Sequence, residues 1–300
     1  MVSWMRSAVQ SLSEDRIPWP RLPGWIIPAG AQTLEGAAFL SGAALAHLQE
    51  VVAWEDVPQA LWRDRLALRA AAAGLALRGR PEREAELRDA LHLLRPGDEP
   101  GPAGEVALAW RRAVERPLSD ATLRRALPEL PPEQMAAWRT AGQGTPVARV
   151  ARVLETVLTE SPRAEAAALI LADAVLARAL GWAHLLPLLA SGLKPRDLRR
   201  RGGDLRLCCH RALLSSIPET SGMASDLVRR AARLRAVTPK LRAKGAGRAV
   251  EVILSRDAVT PAALTNPLSD RAARRLCDRL VDLGVVRELT GRDMFRLYGL

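Results

Sequence analysis

Arginines near the carboxyl end of the chain have the spacing of a phosphate-binding helix face. Arg271, Arg274 and Arg275 stand at positions i, i+3 and i+4, so a helix would place them side by side. Guanidinium groups bind phosphate oxygens and, in the major groove of DNA, the O6 and N7 atoms of guanine. Asp278 extends this face and would repel phosphate unless it pairs with Arg274 or accepts from a cytosine amino group. The spacing predicts DNA contact.

The flanking segments predict the elements that hold these arginines. A helix is expected over residues 239–254, and Thr260 is placed to cap a short helix after it. Ser269 caps a third helix, which ends at Gly284 and is followed by two β-prone runs around a glycine-containing turn. This order is typical of a winged helix-turn-helix, whose third helix enters the major groove. The predicted buried stripe of the third helix is Ala273, Leu276, Cys277, Leu280 and Leu283.

The hairpin after the third helix carries three further arginines. Arg287, Arg292 and Arg296 are expected to reach the adjacent DNA backbone or the minor groove. The chain is therefore predicted to bind double-stranded DNA, as a transcriptional regulator or a DNA-tethering factor. Winged helices also serve as protein-interaction or dimerisation modules, so a scaffold that holds a partner protein is the alternative. The sequence is also compatible with a homodimer of this chain.

A second basic segment precedes this module. Residues 229–248 contain eight Lys or Arg residues and no acidic residue. Mutual repulsion among them favours an anionic partner, and a solvated helix face is an equally good interpretation. Within the segment, KGAGR resembles a phosphate loop only superficially, because it lacks the Walker spacing and a preceding strand.

Residues that could support catalysis or bind a metal do not form a recognisable motif. Cys208, Cys209 and His210 are adjacent, and consecutive helical side chains point about 100° apart, so a structural role is expected for them. The four histidines are dispersed, and no nucleophile motif of the GxSxG type occurs. We therefore predict no catalytic residue, no metal and no cofactor. An enzyme that acts on nucleic acid through scattered residues is the least favoured interpretation.

Composition and charge separate the chain into two parts. Residues 1–194 hold 22 Lys and Arg against 22 Asp and Glu, whereas residues 195–300 hold 22 against 11. Apolar residues recur at helical spacing in segment after segment, and β-branched alternation is lacking before Val285. The predicted fold is mainly α: a multi-helix bundle over residues 1–235 with a proline-rich N-terminal arm, followed by the winged module over residues 236–300.

The expected compartment is the cytoplasm. Three cysteines, two of them adjacent, cannot form a disulfide framework. The first residues lack the apolar core of a signal peptide, and the most apolar stretch, residues 166–193, is interrupted by Asp173, Arg178 and Pro187. No membrane partner is expected.

Two parts of the chain resemble known families. The ending SDRAARRLCDRLVDLGVVRELTGRDMFRLYGL resembles a C-terminal winged-helix segment of several alphaproteobacterial proteins, and it is similar to the tail of some Fic-type AMP-transferases. The catalytic signature of Fic enzymes is absent, since His210 is followed by RALLSS. Upstream, the runs WPRLPGWIIPAGAQTLEGAAFLSGAALAHL and LWRDRLALRAAAAGLALRGRPEREAELRDALHLLRPGDEPGPAG resemble an uncharacterised family of about 300 residues from the same bacteria. That resemblance implies no activity.

Overall fold

The structure is a computed structural model, and it divides into two compact units. It describes residues 19–26, 33–94, 97–241, 243–266, 268–291 and 295–300. One unit, here called the helical body, comprises residues 22–50 and 63–220. The other, here called the C-terminal unit, comprises residues 51–62 and 221–300 together with the described part of residues 1–21. The expected division between residues 235 and 236 stays a prediction.

The described part of the chain is mainly helical, which confirms that part of the expectation. Before residue 240 the α-helices are α1 (Leu34–Val52), α2 (Gln59–Leu77), α3 (Glu84–Leu93), α4 (Gly101–Glu115), α5 (Asp120–Ala126), α6 (Pro132–Thr140), α7 (Pro146–Glu160), α8 (Glu165–Ala179), α9 (Leu189–Gly192) and α10 (Gly202–Val237). Local sequence signals mark the start of several of these helices. Ser119 Oγ accepts the Thr122 N–H at 3.1 Å at the start of α5, and Pro146 occupies the first position of α7.

Helix α8 is the centre of the helical body. Every residue from Ala167 to Ala177 is buried, and α7 packs along this helix. This helix takes most of its length from the most apolar stretch of the sequence. The buried Asp173 accepts the backbone N–H groups of Leu188 and Leu189 at 3.2 and 3.3 Å, so its carboxylate holds the start of α9. Burial raises the pKa of this carboxyl well above its ordinary value.

The sequence, with Pro218 in this stretch, predicts two helices over residues 204–217 and 222–236, and the structure has the single helix α10 there. It runs unbroken from Gly202 to Val237 with Pro218 inside it. A proline within a helix loses one backbone hydrogen bond and crowds the preceding turn. Ile217 and Thr220, on either side, are buried at 0% and 3% exposure, so packing outweighs the local cost at this position.

The C-terminal unit carries the remaining elements in the predicted order. They are a 3-10 turn (Thr238–Lys240), α11 (Ala246–Ser255), a second 3-10 turn (Pro261–Leu264), α12 (Asp270–Asp282), β1 (Arg287–Glu288) and β2 (Tyr298–Gly299). The helix expected over residues 239–254 begins later than predicted. Gly245 has φ of +95°, a left-handed conformation that interrupts the helix and leaves α11 to start at Ala246.

The two strands form a small antiparallel sheet near the end of the chain. Arg287 pairs with Gly299, and Glu288 pairs with Tyr298. On the other edge of Tyr298, Val259 forms an antiparallel bridge with reciprocal N–H···O distances of 2.8 and 2.9 Å. Among the described residues before Val259, none pairs as a strand.

The proline-rich arm, residues 14–32, falls largely outside the described residues. Within the described part, the ring of Trp19 lies 5.9 Å from that of Trp54, and Trp25 lies 5.9 Å from Phe39. Trp25 is 58% exposed, whereas Ile26 is buried. None of the helices in the described ranges combines the length and the apolarity needed to cross a bilayer.

Candidate nucleic-acid interface

Local signals at both ends define α12, the helix that carries the central arginines. Ser269 Oγ accepts the backbone N–H of Ala272 at 3.3 Å, and Asp270 lies in the first turn, where a negative charge favours the helix dipole. At the other end Leu283 closes the last turn through its backbone N–H, and Gly284 follows with φ of +70°. The predicted cap and stop are therefore confirmed.

The inner face of α12 is the predicted apolar stripe. Its five members are all buried at 4% exposure or less: Ala273, Leu276, Cys277, Leu280 and Leu283. The helix packs against the Pro261–Leu264 turn, where Leu264 is also buried. Burial raises the pKa of the Cys277 thiol to about 12, so this sulfur is a packing group rather than a nucleophile.

The outer face of α12 presents the predicted cations to solvent. Arg271, Arg274 and Arg275 are all exposed, as is Asp278. Arg274 forms an ion pair at 3.1 Å with Asp270, one turn earlier, rather than with Asp278. Such an exposed i, i+4 pair contributes only about 0.3–0.5 kcal/mol, so Arg274 can exchange its carboxylate for a phosphate at little cost. We call Arg271, Arg274 and Arg275 the arginine face.

The hairpin places two of its three predicted arginines in solvent. Arg287 is exposed on β1, and Arg296 is exposed just before β2. Arg292 lies outside the described residues. A hydrogen bond with Tyr298 and the nearby Glu288 carboxylate, at 3.9 Å, raise the pKa of Arg296 above its ordinary value. Arg296 is therefore fully charged at any physiological pH.

Sequence reasoning missed the pairing that ties the hairpin to the rest of the unit. Val259 and Tyr298 exchange backbone hydrogen bonds, so the residues before the Pro261–Leu264 turn and the last residues of the chain lie side by side. Both residues are buried, at 2% and 3% exposure. The only local signal was the β-branched pair Val259 and Thr260. A single strand-like residue is too short to predict a ladder.

The basic segment over residues 229–248 is partly neutralised. Asp226, one turn before it, pairs with Arg229 at 3.1 Å and with Arg230 at 2.7 Å. Lys244 and Arg248 are exposed beside the start of α11. The carboxylate of Asp226 thus forms ion pairs with two of the eight basic residues of the segment. The choice between an anionic partner and a solvated face stays open at this segment.

The cysteine and histidine cluster lies in the helical body. Cys209 is fully buried, and burial raises the pKa of its thiol far above the ordinary range. His210 Nδ1 lies 2.7 Å from the buried Ser41 Oγ, and burial lowers the pKa of the imidazole to about 4. Within the described ranges, no three His, Cys, Asp or Glu side chains converge as a metal-binding group. The hydrogen bond between Ser41 and His210 joins α1 to α10.

These features define a helical protein with a cationic C-terminal unit. Residues 10–300 match the family described as Protein of unknown function (DUF1403), and the chain belongs to that family. This agrees with the resemblance of the upstream segments to an uncharacterised family of about this length. No curated protein matches the chain.

Proposed function

We propose that residues 236–300 form a winged helix-turn-helix module that binds double-stranded DNA, with α12 as the helix that enters the major groove. The role of the whole protein would then be transcriptional regulation or DNA tethering. The chemistry required is phosphate neutralisation by arginine together with hydrogen bonds from guanidinium groups to base edges.

The connectivity of the C-terminal unit supports the proposal. Helix α11 is followed by the paired residue Val259, then by the Pro261–Leu264 turn, α12 and the hairpin. Tyr298 stands between Val259 and Glu288, so the last strand lies in the middle of the paired segments. A winged helix has this order of helices and strands, with the hairpin loop as its wing. The middle helix is only a short 3-10 turn here.

The observation that carries the proposal is the arginine face. Its three guanidinium groups stand in the N-terminal half of α12, opposite the buried stripe and exposed to solvent. Recognition helices contact base edges through their N-terminal residues. Arg287 and Arg296 add exposed charge on the hairpin. These cations are available for phosphate contact without disturbing the packing of the unit.

Titration of a fluorescent random-sequence duplex against the full chain at several salt concentrations tests the proposal. At about 150 mM salt we expect a dissociation constant in the range of about 1–100 μM, as is usual for non-specific association, and tighter binding at 50 mM salt. The logarithm of the binding constant should fall linearly with the logarithm of salt, with a slope of about −0.9 for each phosphate contact. No polarisation change at 50 mM salt and 100 μM protein would contradict the proposal.

A protein partner is the second candidate, and α12 itself supplies the observation that favours it. Val281 is a large apolar residue at 36% exposure on this helix, and it stands beside the exposed Asp282. An apolar residue with acidic neighbours suits a protein surface better than a phosphate backbone. Loss of partner capture in Val281→Asp, together with an absence of DNA binding by the wild type, would favour this second candidate.

A further inference from the structure

The helical body contains a cavity of about 230 Å³ that is lined by three arginines. Arg139 closes α6, Arg149 lies in the first turns of α7, and Arg178 lies near the end of α8. The buried side chains of Leu123 and Val175 line the same cavity. Helices α6, α7 and α8 therefore each bring one arginine to the same recess.

The most enclosed of these cations has an unused donor. The side chain of Arg139 is only 12% exposed, and its Nη1 donates to Asp120 Oδ1 at 2.7 Å. Its Nε is buried and has no hydrogen-bond partner among the described residues. Buried N–H donors in proteins are almost always satisfied, so an unsatisfied one beside a cavity marks a position for an acceptor.

The charges around the cavity do not balance. Asp120 is the carboxylate that pairs with Arg139 and, at 3.4 Å, with Arg178. Arg149 is half-buried and forms no ion pair among the described residues. Two of the three guanidinium groups thus share one carboxylate, and the third has no ion-pair partner among the residues that the structure describes. A partly enclosed site screens this surplus less than bulk water does, so an anion is favoured there.

We propose that this cavity binds the phosphate group of a small phosphate monoester. The three terminal oxygens of such a group can accept hydrogen bonds from the paired N–H donors of several guanidinium groups. A single carboxylate has too few oxygens to accept from all of these donors. Leu123 and Val175 provide an apolar wall for a short carbon chain. The volume is below the range of about 300–1,000 Å³ for drug-sized ligands, so the molecule is small. The site lies within the helical body and does not depend on the proposed DNA function.

The competing explanation is structural. The Asp120 carboxylate alone could join α6 and α8 to the start of α5 through Arg139 and Arg178. Arg149 separates the two explanations because it takes no part in that network. Removing the charge of Arg149 should leave that network and the fold unchanged, but it should weaken the binding of an anion in the cavity.

Isothermal titration of the full chain with inorganic phosphate, methyl phosphate and acetate, at constant chloride concentration, tests the site. We expect methyl phosphate to bind at millimolar or lower concentration, and Arg149→Gln to weaken that binding at least ten-fold with an unchanged melting temperature. Arg163→Gln is the matched control, since Arg163 is an exposed arginine of the body away from the cavity lining. It should bind methyl phosphate like the wild type.

Three results would overturn the proposal. They are no heat of binding with either phosphate compound, equal affinity in the wild type and Arg149→Gln, and acetate binding as tight as that of methyl phosphate. A second variant covers the case in which Arg149→Gln does not fold. Asp120→Asn removes the competing carboxylate, so we expect it to bind phosphate about two- to five-fold more tightly. Weaker binding in that variant at full folding would equally contradict the site.

Discussion

At the scale of single residues, the balance of charge on α12 decides how well it suits DNA. Arg274 already has a carboxylate partner in Asp270, while Asp278 stands exposed on the same face. The exposed pair is weak, so phosphate can replace Asp270. The negative charge of Asp278, in contrast, opposes the approach of a phosphate to this face.

We therefore expect Asp278→Asn to raise the affinity for a random-sequence duplex by about two- to five-fold at 50 mM salt, because a like charge is removed from the interface. The control is Glu129→Gln, which makes the same charge change at an exposed position of the helical body. Fluorescence polarisation measures both variants. Equal affinity changes in the two would mean that only net charge matters, and that α12 is not the contact.

The buried imidazole of His210 predicts a pH dependence of stability. Burial holds its pKa at about 4 in the folded chain, against about 6.5 when unfolded. Between these values the unfolded chain binds the extra proton, so the stability from this group is complete above pH 6.5 and is lost as the pH falls toward 4. The full effect is about 3 kcal/mol.

Urea unfolding of the wild type and His210→Gln at several pH values between 7 and 4 measures this effect. Carboxylates titrate in both proteins, so the difference between the two curves isolates the imidazole. We expect the wild type to lose more stability on acidification than the variant does. Parallel curves would show that His210 is protonated in the folded chain or that its burial costs little.

At the scale of elements, the C-terminal unit depends on a close approach of backbone to backbone. A Cβ atom at Gly299 would lie 2.5 Å from the carbonyl oxygen of Asp257, a contact too short for any side chain. This contact sits beside the pairing of Val259 with Tyr298. The last strand can therefore pack as it does only with glycine at this position.

Gly299→Ala should destabilise the C-terminal unit by about 1–3 kcal/mol, because the strand has to move away from Asp257. Hydrogen exchange should show faster exchange of the Val259 and Tyr298 amides, which are paired in the wild type. Gly247→Ala is the matched control, since a Cβ atom there meets nothing within 4 Å. That helical substitution should be neutral or stabilising by up to about 1 kcal/mol. Unchanged exchange in Gly299→Ala would contradict the packing described.

The elements also show which features local sequence signals determine. The whole of α12 could be predicted, because its cap at Ser269, its apolar spacing and its stop at Gly284 are all written within sixteen residues. The continuity of α10 through Pro218 could not, since it depends on the burial of residues on either side. The arginine cavity was missed for the same reason. Arg139, Arg149 and Arg178 lie on three different helices, and no local spacing relates them.

At the scale of the whole molecule, the excess of positive charge is confined to the later part of the chain. Residues 1–194 are balanced, whereas residues 195–300 carry twice as many basic as acidic residues. A uniform arginine bias would spread the excess along the chain. A local excess is what a surface that binds polyanions would require, which is consistent with the proposed contact with DNA.

Contact between the arginine face and DNA is tested by comparing three forms of the protein. The duplex affinity and its salt dependence are measured for the full chain, for Arg274→Glu/Arg275→Glu, and for the control Arg124→Glu/Arg163→Glu, whose two arginines are exposed in the helical body. We expect the first pair of substitutions to weaken binding by at least ten-fold and to make the salt slope shallower by about 0.9 for each lost phosphate contact, while the control stays within about three-fold of the wild type. Equal binding by the wild type and the Arg274→Glu/Arg275→Glu variant would contradict DNA contact by the arginine face and would favour a protein partner for α12.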